Sequence, residues 1–200
     1  MTDEYYTVSG YATAQNKEKG SKFIGHIFPV KSTEEAGRKI SDTKKKFYDA
    51  THNCSAYLLG LGDEAIYHFD DDGEPSGTAG QPIYQAITGA GITDVLIVVT
   101  RYFGGTKLGT GGLIRAYGHT ARITIENAER MKKIRTETLA IHTTYDDISQ
   151  VMRTIDLASA RIVSQDYGEE IRMEIAVRQS QVDDFQAQLV ENTGGRIAFV

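Results

Sequence analysis

The alternation of apolar and polar residues divides the chain into elements. The clearest is Asp94 to Tyr102, where Val95, Leu96, Ile97, Val98 and Val99 form an unbroken apolar run. Such a run reads as a strand covered on both faces. Upstream, Tyr5 to Ala14 and Ser21 to Val30 read as strands about a turn at Lys17–Gly20. Ser32 followed by Glu35 makes a capping box that opens a helix running to about Phe47. Cys54 to Leu61 and Ala65 to Phe69 read as a hairpin across Gly62 and Asp63. A polar loop from Asp70 to Thr78 and a short helix near Gln81 to Thr88 precede the apolar run. After it, a glycine-rich loop leads into a long helix from about Gly112 to Arg130.

The remainder follows a second pattern. Thr136 to Thr144 is strand-like, with Leu139 and Ile141 on one face. Ile148, Val151, Met152 and Ile155 recur at helical spacing within Asp146 to Ala158, with acids in the first turn. Arg161 to Tyr167 is a strand, and Gly168 marks a turn. Ile171, Met173, Ile175 and Val177 then alternate with more polar residues as a second strand requires. Ser180 is a candidate N-cap, with Asp183 three residues on, for a helix carrying Val182, Phe185 and Leu189 on one face. Gly194 and Gly195 stop it, and Arg196 to Val200 is a last strand. The order β-α-β-β-α-β is the ferredoxin-like split unit.

Composition supports two folded parts. Hydrophobic residues make 40% of the chain and charged residues 24%, which excludes wholesale disorder and a disulfide scaffold. The net charge of −5 is unevenly placed. Residues 1–133 carry 16 Lys and Arg against 16 Asp and Glu, whereas residues 134–200 carry 6 against 11. Glycine also thins out, with only Gly168, Gly194 and Gly195 after position 133. The expected domains are therefore 1–133 and 134–200. Cys54 is the lone cysteine, so no internal disulfide forms, and this suits a reducing compartment. The first ten residues have no basic segment leading into an apolar one, and no apolar run approaches the ~20 residues of a membrane span. The expectation is a soluble, cytoplasmic protein with no membrane partner.

Four stretches could carry chemistry. From Val95 to Ile125 there is no acid, yet Arg101, Lys107, Arg115, His119 and Arg122 all fall there. Within it, Gly104, Gly105, Gly109, Gly111 and Gly112 lie between a buried strand and a helix. Bare N–H groups, a helix N-terminus and local cations are the ingredients of a phosphate or RNA-backbone site. Equally, the glycines serve close strand–helix packing and the cations solvate a surface. Walker A and dinucleotide fingerprints both fail, because Gly109 is followed by Thr110 and position 114 is Ile.

The second stretch is Asp70-Asp71-Asp72-Gly73-Glu74, which offers oxygen ligands for a divalent cation or, alternatively, an ordered Asx-type turn. Third, His52 and Cys54 point to one face of a strand, as a base–nucleophile pair or as ordinary core residues. Last, Lys44-Lys45-Lys46-Phe47-Tyr48 either grips nucleic acid or complements a helix C-terminus.

Several of these residues coincide with a known pattern. Lys17-Glu18-Lys19-Gly20-Ser21-Lys22-Phe23, His52-Asn53-Cys54-Ser55-Ala56-Tyr57, Asp71 to Gly80, and Val99-Thr100-Arg101-Tyr102-Phe103-Gly104-Gly105 with Lys107-Leu108-Gly109 and Gly112-Leu113 resemble the IMPACT family (UPF0029), in particular its bacterial YigZ-like members. The resemblance implies an α+β fold. Its N-terminal domain would be like domain 2 of ribosomal protein S5 and like domain IV of elongation factor G. The ferredoxin-like C-terminal domain would be like domain V of that factor. It also implies contact with ribosomal RNA or the translation machinery. Eukaryotic relatives regulate translation by blocking activation of a kinase through an extra domain that does not carry over here.

The leading expectation is thus a non-enzymatic, translation-linked protein that binds RNA or the ribosome. Arg101, Lys107, Arg115 and Arg122 would meet phosphates, with His119 beside them and the Gly104–Gly112 loop supplying backbone donors. The alternatives are an enzyme acting on a small phosphorylated ligand, using a pocket of Lys19, Ser21, His52, Cys54 and Glu74, or a regulator that binds a protein partner through the acidic C-terminal domain. No cofactor and no metal are expected.

Overall fold

The computed structural model describes residues 3–200. They divide into two compact units: residues 5–132, and residues 133–200 with 3 and 4. The elements leading to the first unit's sheet are β1 (Glu4–Val8), β2 (Ala12–Glu18), β3 (Ser21–Pro29), α1 (Thr33–Lys46), β4 (His52–Leu59) and β5 (Ile66–Asp70). There follow α2 (Gly80–Gly89), β6 (Val95–Tyr102), α3 (Thr110–Glu126) and β7 (Arg130–Ile134). Five strands form one antiparallel sheet in the order β2-β3-β6-β4-β5, while β1 pairs with β7.

The apolar run lies at the centre of that sheet, and its alternation sorts the two faces. Val95, Ile97 and Val99 join the core under α2 and α3, with Ile83, Ile87, Leu113, Tyr117 and Ala121. Leu96 and Val98 join a smaller cluster under α1, with Val30, Ala36 and Ile40. Arg101 continues the first set by strand parity, so its side chain starts on the α3 face. Register carries the parity across the sheet: Arg101 stands between Phe23 of β3 and His52 of β4, and Val99 between Gly25 and Cys54.

The second unit holds β8 (Thr136–Thr143), α4 (Ile148–Leu157), β9 (Arg161–Tyr167), β10 (Ile171–Arg178), α5 (Val182–Asn192) and β11 (Ala198–Phe199). Its antiparallel order β11-β8-β10-β9 is the ferredoxin-like arrangement. One sheet face contributes Leu139, Ile141, Ile171, Met173, Ile175 and Val177. These pack on Val151, Ile155, Phe185 and Leu189 from the helices. The architecture as a whole is α+β.

The structure departs from the sequence reading in five places. The strand expected over Tyr5–Ala14 is two, broken after Val8 and paired with different partners. The helix expected to reach Arg130 ends at Glu126, capped at Asn127, and Arg130–Ile134 is a strand. Ser180 does not cap α5; its hydroxyl donates to Asp3 Oδ2 (2.5 Å). The acids expected in the first turn of α4 precede it: Asp147 is its N-cap, and its carboxylate takes a two-pronged contact from Arg196 instead of capping. Finally, only Ala198 and Phe199 are strand at the C-terminus.

Two features of the first unit have measurable consequences. A Cβ on Gly25 would overlap Thr124 Oγ1, so α3 sits on β3 at a distance only glycine permits. Gly25→Ala is expected to cost about 1–3 kcal/mol by overpacking. Adding Thr124→Ala should recover part of that loss in urea unfolding. On the other face, His26 is 3% exposed, and its pKa is pushed down to about 4 by burial and then by Lys46. The unfolded chain binds that proton at about 6.5. Between these values it holds more protons than the fold does, so stability is full above pH 6.5 and falls as pH drops toward 4. The loss is at most ~3 kcal/mol. In His26→Gln the unfolding free energy should fall less steeply with acid over that window.

Candidate functional site

Two constellations lie on the α2–α3 side of the sheet. The first is buried and is built around Arg101, which is 5% exposed. Its Nη1 donates to Glu74 Oε1 at 2.5 Å, and Tyr117 of α3 donates its hydroxyl to the same oxygen at 2.7 Å. His52 Nδ1 donates to the carbonyl of Asp72 (2.8 Å), which turns Nε2 toward Glu74 Oε2 at 3.9 Å. Ser21 Oγ lies 3.4 Å from Arg101 Nη2 and accepts the N–H of Gly104. The guanidinium also lies over the rings of Phe23 and Phe103, at 5.5 and 5.6 Å from their centroids.

The loop between β5 and α2 brings Glu74 into place, and its acids are satisfied locally. Asp71 accepts the N–H groups of Gly77, Ala79 and Gly80, which supplies the cap that Ala79 cannot give α2. Asp72 accepts from the Asn53 amide and from Lys44. Lys44 therefore serves this loop, close to the C-terminus of α1. The carboxylates order a turn, as Asx chemistry allows.

Cys54 is fully buried, with Sγ 3.0 Å from the carbonyl oxygen of Asp71 and 3.3 Å from the Tyr117 hydroxyl. Burial pushes its thiol pKa well above the usual range, and that of the Tyr117 phenol likewise. A sealed, protonated thiol is a poor nucleophile.

The second constellation is open. Arg115, His119 and Arg122 stand exposed on one face of α3. With Lys19 from the β2–β3 turn, and with Asn16, Glu18, Leu108, Gly112 and Ala116, they line a groove of about 310 Å³. Arg115 and Arg122 also border a wider groove of about 710 Å³ between α2 and α3. Pro82, Ala86, Gly118 and Ile125 give it an apolar floor, and Glu126 and Arg130 sit on its edge. Lys107 is exposed in the loop. Among the described residues, Lys19, Lys107, Arg115 and Arg122 form no ion pair.

The expected residues therefore separate. Ser21, His52, Cys54 and Glu74 do come together, but around the buried Arg101 and without Lys19, which belongs to the open groove. Arg101 is not an exposed phosphate contact, since Glu74 neutralises it. Gly104 is not a free backbone donor either: its N–H is held by Ser21, and a Cβ there would overlap the backbone of Gly20 and Ser21. Gly112 similarly makes room for Leu108, whose Cβ would lie 2.9 Å from an added one. Gly105, Gly109 and Gly111 are exposed.

The wider groove has no counterpart in the sequence reading. Ile114, 43% exposed on an otherwise amphipathic helix, was the available signal. Removing one partner of a buried ion pair strands the other, so Arg101→Met or Glu74→Leu should each cost about 3–5 kcal/mol. The double variant should lose clearly less than their sum in a denaturation cycle.

Comparison with known proteins follows this layout. The Impact N-terminal domain matches residues 19–125, which contain the buried constellation and the cations Lys19, Lys107, Arg115 and Arg122 of the open one, and a domain of unknown function (DUF1949) matches residues 141–196 of the ferredoxin-like unit. The chain is 33% identical to the IMPACT family member YvyE of Bacillus subtilis over 98% of its own length and 90% of that protein's. It is 28% identical to the IMPACT family member YigZ of Escherichia coli, over 92% of this chain and 91% of that one. A solved structure described as the crystal structure of an hypothetical protein covers the whole chain and 98% of its own, with a TM-score of 0.73 at 26% identity. Among the described residues, no helix is long and apolar enough to cross a membrane. The chain, with this pairing of domains, belongs to the IMPACT family.

Proposed function

We propose that this protein binds structured RNA or the ribosome in a non-enzymatic, translation-linked role in the cytoplasm. The observation that carries this reading is the exposed cationic face of α3. Arg115, His119 and Arg122 recur at helical spacing without carboxylate partners, and Lys19 closes the same groove. Lys107 adds a fifth polar contact from the preceding loop. Phosphate oxygens are the natural partners of such a row, because Arg and Lys neutralise them and release bound counterions. An open groove of this kind suits a continuous backbone better than an enclosed small substrate. The link to translation rests on the family resemblance.

Arg101 plays no direct part in this reading, which separates it from one based on the acid-free window alone. The test is binding of purified ribosomes and of a structured RNA hairpin across a salt series. Wild type should weaken steeply with salt. Replacing Lys19, Arg115 and Arg122 together by Ala should flatten the log–log slope by roughly 0.7–0.9 per lost phosphate contact. Unfolding of the triple variant should stay near wild type, since all three side chains are exposed. Unchanged affinity and slope for both RNAs would rule the reading out.

A further inference from the structure

The opposite face of the same sheet carries a separate cavity of about 290 Å³, lined by Tyr11, His26, Phe28 and Phe47 together with Lys39, Asp42, Thr43 and Lys46 of α1. Its walls are aromatic. Tyr11 and Phe28 have ring centroids 5.0 Å apart, and His26 and Phe47 4.8 Å apart. Each lysine hangs over one wall: Lys39 Nζ lies 5.7 Å from the Phe28 centroid, and Lys46 Nζ 5.4 Å from that of Phe47. Asp42 is the one acid, so the lining is cationic on balance.

His26 sets this cavity apart from an ordinary surface dimple. Its Nδ1 lies 2.9 Å from the Tyr11 hydroxyl, while Nε2 is buried and finds no hydrogen-bond partner in the protein. An imidazole nitrogen left bare in a dry setting is unfavourable, and native proteins seldom keep one without a use. Burial and Lys46 keep the ring neutral at physiological pH. It is therefore suited to a directional bond with a neutral ring atom or carbonyl rather than to an ion pair. Sequence parity explains how the residue came here: His26 pairs with Val98, whose side chain faces α1.

We propose that this cavity is a binding site for a single nucleotide, a planar base joined to a phosphate. The base lies against the aromatic walls, beside the His26 ring, which is itself packed against both Tyr11 and Phe47. The phosphate lies at Lys39 and Lys46, and Asp42 accepts from an amino or ribose hydroxyl group. The volume is at the small end of ligand pockets, which fits one base rather than two. Aromatic stacking tolerates any base, so selectivity would rest on His26. The site stands apart from the α3 face and uses none of its residues.

The experiment is calorimetric titration of the full chain with AMP, GMP, CMP and UMP, and separately with an eight-nucleotide single-stranded RNA. It is paired with nitrogen-15 observation of the histidine rings. At least one mononucleotide or the strand should bind and shift the His26 Nε2 resonance. Lys46→Glu, an exposed change, and Phe47→Ala should each weaken that binding about tenfold or more. Binding of the strand without any mononucleotide would identify the nucleotide as part of a chain. The absence of binding by all five probes would overturn the proposal. So would binding that Lys46→Glu leaves intact but loss of Arg115 and Arg122 abolishes. Lys46 and Phe47 line only this cavity, whereas Lys19, Arg115 and Arg122 line only the α3 side, so the two sets of variants let the two ideas fail separately.

Discussion

The first unit is organised by one buried ion pair. Arg101 sits near the end of a strand whose first five residues are apolar, and parity buries its side chain beside Phe23 and Tyr117. A guanidinium there needs a carboxylate. Glu74 supplies it from a loop 27 residues upstream, and Tyr117 shares the same oxygen from α3. Three segments distant in sequence are thus tied at one atom. Pairs of this sort bring little net stability, because desolvation offsets most of the attraction. Their effect is on placement. With Glu74 fixed, the 70–80 loop has one position, Asp71 lands on the N-terminus of α2, and Asp72 lands on the amide of Asn53.

The glycine-rich loop is shaped by the same crowding. Gly20, at φ +83°, and Gly104 approach so closely that a side chain on either would meet the other's backbone. Ser21 exploits the approach, holding Gly104 and touching Arg101 with one hydroxyl. The loop's first duty is therefore to pass the chain from β6 over the β2–β3 turn. Only after that crossing does the backbone open, at Gly105 to Gly111, and deliver α3 with its cations outward.

How much of this could be read from residues alone follows from which forces are local. The apolar run, the β4–β5 hairpin and the ferredoxin-like half were all visible. Each rests on short-range alternation and turn chemistry, and Ile171 to Val177 faces the core at the positions its period requires. The strand Arg130–Ile134 was not visible, because Arg-Met-Lys-Lys-Ile has no apolar face and its strand partner, β1, lies far away in sequence. Ser180 failed as a cap because Asp3, 177 positions away, takes its hydroxyl. Arg101 is the instructive case. Its parity placed it with Ile97 and Val99 on the helix-covered face, a hint that it was buried. The partner that makes burial tolerable is a matter of tertiary register, which no local pattern contains.

That distinction changes the charge argument. Counted along the sequence, the window from Val95 to Ile125 is uniformly basic; in space, Glu74 removes its first cation from play. What remains is Lys107, Arg115 and Arg122, joined by Lys19 from another strand turn and bordered by Glu18 and Glu126. Screening at physiological salt limits such a patch to a reach of about 8 Å. Attraction here is a property of one helix face rather than of the molecule. The same reasoning applies across the sheet, where Lys39 and Lys46 act at contact range beside aromatic rings and only Asp42 opposes them. A chain of net charge −5 can keep two cationic surfaces because each is judged by its nearest neighbours.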